Sequence, residues 1–212
     1  SLIDRTLLQM DTMAAIGTYG KDTTAFFTQY FELIDFAQER KIYSYKSDKR
    51  FRNLQKSQYL ESLLAKKPDK AISEKTGNHF IDITHDAMKD EDWEFAEEYA
   101  RKAVFHAENH LARYPNPDSA TILSYQYRVL SIALLYQKKS DEALIWSRKA
   151  MDTEASVGNA LTHIRALLMN ARLEEAKACF TQFKDSKIPG DPDSTPARTL
   201  KRHLDYMERL GI

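Results

Sequence analysis

The sequence predicts an all-α protein, and three observations carry that expectation. Six glycines and six prolines in 212 residues are too few for the many tight turns of an all-β chain. No stretch alternates apolar and polar residues with the period of two that marks a half-buried strand. A spacing of large and small apolar residues at helical intervals occurs three times along the chain. The first copy carries Phe80, Ile83 and Ala87 on one helix, a polar turn at Lys89-Asp90-Glu91-Asp92, then Ala96, Ala100 and Ala103 on a second helix. The second runs Tyr127, Leu130, Leu134, a turn at Gln137-Lys138-Lys139-Ser140, then Ala143, Ser147 and Ala150. The third runs Ala160, Ile164, Leu167, a turn at Asn170-Ala171-Arg172, then Ala176, Phe180 and Phe183. Ala143 and Ala176 lie 33 residues apart and Ala96 and Ala143 lie 47 apart, so extra residues enter between the first and second copies.

Residues 2 to 16 predict a first helix, with Leu2, Ile3, Leu7, Leu8, Met10, Met13 and Ala14 at helical spacing until Gly17 and Gly20 interrupt it. Asp22 suits the N-cap of the next helix, which is aromatic over a wide arc: Phe26 and Tyr30 with Leu33, Phe27 and Phe31 with Ile34. Such a helix is expected to be covered on two sides. Asn53 to Lys66 predicts a short helix with Leu54, Tyr59, Leu60, Leu63 and Leu64 inward, stopped by Pro68. Ser73 is the expected cap of the first repeat helix. The second helix of that repeat runs on through Ala107 and Leu111 until Tyr114-Pro115-Asn116-Pro117-Asp118 breaks it. This extension projects a helix end that is available to a partner or to a second subunit in a homodimer. Residues 185 to 196 form the clearest linker, with three prolines and one glycine. Thr195 and Pro196 then start a last helix with Ala197, Leu200, Leu204, Met207 and Leu210 along one face, most simply a cap on the array. Three regions follow: divergent helices packed on the array over 1–72, three repeats over 73–188, and a linker with a capping helix over 189–212.

The spacing over residues 74 to 188 resembles the tetratricopeptide repeat, a helix-turn-helix unit of about 34 residues with a small residue where the second helix presses on the first. The matching small residues are Ala96, Ala143 and Ala176, and the strongest stretch is YRVLSIALLYQKKSDEALIWSRKA, residues 127 to 150. The glycine usual in the first helix is Thr84, Ser131 and Ile164 in turn, so the repeats are degenerate. The resemblance implies a right-handed superhelix of antiparallel helix pairs, an α-solenoid. It further implies that a protein or peptide partner binds the concave groove lined by the first helix of each pair. Counted along those helices, the groove residues are Asn78, Asp82, His85 and Lys89, then Tyr125, Arg128, Ile132 and Tyr136, then Thr162, Arg165 and Met169. Arg128 and Arg165 suit bidentate contacts to a carboxylate or phosphate, and Tyr125 and Tyr136 supply stiff aromatic area.

Composition narrows the setting. Hydrophobic residues at 42% and charged ones at 29% suit a soluble globular chain. Thirty-one basic side chains balance thirty-one acidic ones, so no overall field gathers nucleic acid or an anionic membrane. No apolar run reaches the ~20 residues that span a bilayer, and no secretory leader pattern opens the chain. The start at Ser1 leaves room for an upstream signal or domain. Cys179 stands alone, which points to a reducing, cytoplasmic location and to a thiol used for packing.

Chemistry is sparse. No glycine-rich phosphate loop, CxxC pair or GxSxG elbow occurs, and no cofactor is expected. His106 and His110 have half the spacing of a zinc site, and Asp82 with His85 could orient a base, but neither finds the remaining partners in the sequence. Residues 40 to 56 interleave Arg40, Lys41, Lys46, Lys49, Arg50, Arg52 and Lys56 with Tyr43, Tyr45 and Phe51, a pattern that suits single-stranded nucleic acid as well as a solvated loop. The primary expectation is a non-enzymatic protein- or peptide-binding scaffold within a larger regulatory protein. A nucleic-acid-binding helical repeat and a metal-dependent or Asp-His enzyme are the other readings.

Overall fold

Ten α-helices and no strand occur among the described residues, which are 2–15, 17, 22–39, 49–190, 193–209 and 211 of a computed structural model. They are α1 (Leu2–Ala15), α2 (Thr23–Glu39), α3 (Lys49–Lys66), α4 (Lys70–Lys89), α5 (Trp93–Arg113), α6 (Pro117–Tyr136), α7 (Ser140–Thr153), α8 (Val157–Met169), α9 (Leu173–Phe183) and α10 (Pro196–Arg209). No described helix is long and apolar enough to cross a membrane. The chain divides into two compact units, Ser1–Thr76 and Gly77–Ile212.

In the first unit, α2 begins as its capping residue requires, with the Asp22 carboxylate accepting from the Ala25 amide at 3.0 Å. Phe26, Phe27, Tyr30, Phe31, Ile34 and Ala37 are buried with Leu7 and Ala14 of α1, and Tyr59 of α3 packs on the same cluster. The wide aromatic arc is thus core, each large ring contributing about 1.5–3 kcal/mol by leaving water. The Tyr30 hydroxyl donates to Asp11, and Thr28 shares a 2.6 Å hydrogen bond with Tyr59. Two sequence expectations are corrected here. Helix α3 starts at Lys49 instead of Asn53, and Leu54 is 43% exposed because the inward face of α3 is set by Ser57 and Leu60. The cap of α4 is Asp69, whose carboxylate accepts from Ile72 at 2.9 Å, while Ser73 is buried inside the helix.

In the second unit the three turns of the repeat share one backbone geometry. Glu91, Lys138 and Ala171 stand in the left-handed region at φ 58°, 62° and 55°. The residue after each closes the preceding helix by donating to a carbonyl five positions back: Asp92 to Ala87 at 2.9 Å, Lys139 to Leu134 at 3.0 Å and Arg172 to Leu167 at 2.9 Å. This is the Schellman ending, and the closing residue serves at once as the N-cap of the next helix. Each turn therefore needs only three residues between its helices. Ala96, Ala143 and Ala176, four positions beyond the three caps, are all buried. Each packs in one cluster with the residue nine positions before it: Ala96 with Ala87, Ala143 with Leu134, Ala176 with Leu167. The spacings 47 and 33 therefore recur in torsion angles, hydrogen bonds and packing alike.

Polar ties hold successive helices. Ser131 of α6 donates to the Ala143 carbonyl of α7 at 2.9 Å, in the close approach where a larger side chain would not fit. Glu97 of α5 receives Arg101 at 2.7 Å, Gln137 at 2.8 Å and Lys139 at 2.6 Å. Its burial alone would raise the carboxyl pKa, but these three donors outweigh it and hold the group below its usual range. Helix α10 packs on α8: Leu200 joins Val157 and Ile164, and Met207 joins the cluster of Leu134 and Ala166. The expected apolar face of α10 is corrected in one place: Ala197 is exposed, and Pro196, Thr199 and Met207 are the buried positions. Leu210 lies outside the described residues.

Candidate functional site

A cavity of about 510 Å³ opens in the second unit between α6, α8 and α10. Helix α6 brings Tyr125, Arg128 and Ile132, spaced three and four apart so that they share one face. Helix α8 brings Gly158, Leu161, Thr162 and Arg165 by the same periodicity, and α10 adds Thr199, Arg202 and His203. Among the described residues, Glu154 is the one carboxylate lining it. Five of the eleven residues counted from the repeat pattern are thereby brought together: Tyr125, Arg128, Ile132, Thr162 and Arg165.

Arg165 is 3% exposed. Its Nη2 donates to Thr162 Oγ1 at 3.2 Å, but Nε has no partner. Burial pulls its pKa below the ordinary arginine value, Tyr136 opposes that, and the like charge of Arg128 adds to it. Arg128 lies over the Tyr125 ring at 4.8 Å, and its Nε is also buried without a partner. Its pKa is lowered by burial against the opposing pull of Tyr125 and Glu154. Gly158 makes this placement possible, because a β-carbon there would overlap the Arg128 guanidinium. His203 points a buried, unpartnered Nδ1 from α10, and burial together with Arg165 and Arg202 lowers its pKa to about 4. Glu154 Oε2 accepts from Ser124 at 2.8 Å.

The other six residues of that count stand elsewhere. His85 shares a 2.7 Å hydrogen bond with the Tyr125 hydroxyl, and burial lowers its pKa despite Asp82 and Asp86. It ties Tyr125 of α6 to α4. Asn78 and Asp82 are exposed, and Lys89 is exposed beside Asp86 at 3.6 Å. Tyr136 stacks on Trp93 at 4.1 Å and meets Tyr206 edge-on, while Met169 packs against the central cluster. Arg202, His203, Glu154 and Gly158 were not foreseen. The two α10 residues carry no sequence signal, since the helix pairs with α8 only after a linker.

Other candidates resolve into packing. His106 is buried and stacked on Phe80 at 5.0 Å, and His110 is buried beside Tyr114. No group of three metal-ligating side chains occurs among the described residues. Ser147 contacts His163 Nδ1 at 2.9 Å, but its hydroxyl also bonds the Leu144 carbonyl and is fully buried, so the pair is an interhelix tie. Cys179 is half-buried against Ile164 and Leu200, with burial raising its pKa. Of the basic and aromatic stretch, Arg40, Lys41, Tyr43, Tyr45 and Lys46 lie outside the described residues, as do the side chains of Lys49, Arg50 and Phe51. Lys56 is 3.6 Å from Asp35 and lies over the Phe31 ring.

Compared with family models, curated proteins and solved structures, the chain finds no match.

Proposed function

We propose that residues 77–212 form a tetratricopeptide-like helical array that binds a protein or peptide segment without catalysing a reaction, and that the segment enters the cavity at Arg128 and Arg165. The observation that carries this reading is a pair of arginines, one from each of two successive repeats, that line a shared cavity and each keep a buried Nε without a partner. Leaving a charged donor unsatisfied costs several kcal/mol, a cost that folding alone has no reason to accept and that an acidic ligand group would offset. Tyr125 and Ile132 beside the arginines offer an aromatic and an apolar contact for the residues flanking that group. The three matching Schellman turns and buried alanines support the array half of the reading.

The test is a selection of displayed random peptides on the wild-type protein, followed by the same pool on the Arg128→Gln/Arg165→Met double variant. Enriched peptides should carry acidic groups, compete with one another and fail on the variant. Equal retention by both proteins would remove the cavity as the binding site.

A further inference from the structure

We infer that the group received by the cavity is a phosphoryl group carried on an organic residue or molecule. This rests on the reading of the cavity as the array's binding site and specifies its ligand. The charge count is the first argument. Among the described residues, Arg128, Arg165 and Arg202 bring three positive charges to the lining and Glu154 returns one, so two of these remain uncompensated with His203 neutral. A carboxylate cancels one of these; a phosphoryl dianion cancels both. Two like charges held near each other in a desolvated site favour the ligand that neutralises the pair.

Donor geometry is the second argument. Nε of Arg128, Nε of Arg165 and Nδ1 of His203 come from three helices, and all are buried without partners. Arg128 of α6, Arg165 of α8 and Arg202 of α10 bring guanidiniums to this lining from three different helices, a set that suits a tetrahedral group with three terminal oxygens better than a planar one with two. His203 becomes a donor by keeping its proton on Nδ1 or by gaining one as the anion arrives. Space is the third argument. About 510 Å³ far exceeds what a bare phosphate fills, and Val157, Leu161 and Ile188 provide apolar wall for a carrier.

Titration calorimetry on the full chain tests this with four probes: inorganic phosphate, glycerol phosphate, a phosphoserine peptide and the same peptide with glutamate in that position. Inorganic phosphate should bind saturably at one site, and Arg128→Gln, Arg165→Met and the surface change Arg202→Ala should each weaken it by about tenfold or more. A phosphopeptide that outcompetes both glycerol phosphate and its glutamate counterpart assigns the carrier to a protein partner. Glycerol phosphate bound tightly while neither peptide binds assigns it to a small phosphorylated molecule, which keeps the phosphoryl site and overturns the peptide reading. No saturable binding by any phosphorylated probe, or binding indifferent to all three substitutions, overturns the inference. A glutamate peptide that binds alone and is lost on Arg165→Met overturns it while leaving the peptide reading in place.

Discussion

The Arg128 guanidinium lies against the backbone of Gly158, at a spot that only a residue without a β-carbon leaves free. Helices α6 and α8 are thereby fitted to each other by a missing methyl group, with the Arg128 charge between them at the cavity. Gly158→Ala should push the flexible end of Arg128 aside. Because alanine favours a helix over glycine by up to about 1 kcal/mol, thermal stability should hold or rise while inorganic phosphate affinity falls by about tenfold. Melting and titration of the same preparation check both halves.

Arg165 is the side chain for which folding and binding pull apart. Its buried charge makes one hydrogen bond, to Thr162, and leaves Nε without a partner, so replacing it with methionine of similar length should stabilise the ligand-free protein by about 1–3 kcal/mol. Denaturant unfolding reads this directly. A loss of stability would mean that the guanidinium is a structural strut.

The repeat turns make a backbone prediction. Ala171 is exposed, and in the left-handed region its β-carbon costs about 1 kcal/mol, which glycine would relieve less the added freedom of the unfolded chain. Ala171→Gly should raise stability by about 0.5 kcal/mol. Ala143→Leu, at the close approach where Ser131 bonds the Ala143 carbonyl, should lower it by about 1–3 kcal/mol or more.

Much of this was legible because local chemistry and tertiary packing agree over residues 77 to 183. Small residues at Ala96, Ala143 and Ala176 can serve only a close helix approach, and counting four and three along α6 and α8 finds Arg128 and Arg165. Asn78, Asp82 and Lys89 obeyed the same count yet stand apart from the cavity. What completes the cavity is α10, and its approach is decided by Leu200 and Met207 meeting α8 and the central cluster across a linker. No period in the sequence encodes that meeting. The cap of α4 was misplaced for a local reason: Asp69 and Ser73 both suit a helix start, and Pro68 leaves the earlier one in place.

A pH dependence follows from His203. Its folded pKa of about 4 lies below the ordinary 6.5, so between these values the unfolded chain binds the extra proton and stability rises with pH. The histidine contributes no loss above about pH 6.5, a progressive loss as pH falls toward 4, and none further below. The groups facing it are Arg165 and Arg202, with Arg128 and Glu154 across the cavity. His85 and His163, also lowered by burial, add the same sign. Melting temperature followed from pH 7 to 4 should fall less steeply in His203→Gln than in the wild type.

The most direct measurement is a side-chain nitrogen–proton correlation spectrum of the arginines during addition of inorganic phosphate, with Arg128→Gln and Arg165→Met supplying the assignments. The Nε–H signals of Arg128 and Arg165 should move together, downfield and saturably, while that of Arg101, already paired with Glu97 and Glu142, stays still. Arg128 and Arg165 signals that remain unmoved at saturating phosphate would contradict the cavity as an anion-binding site.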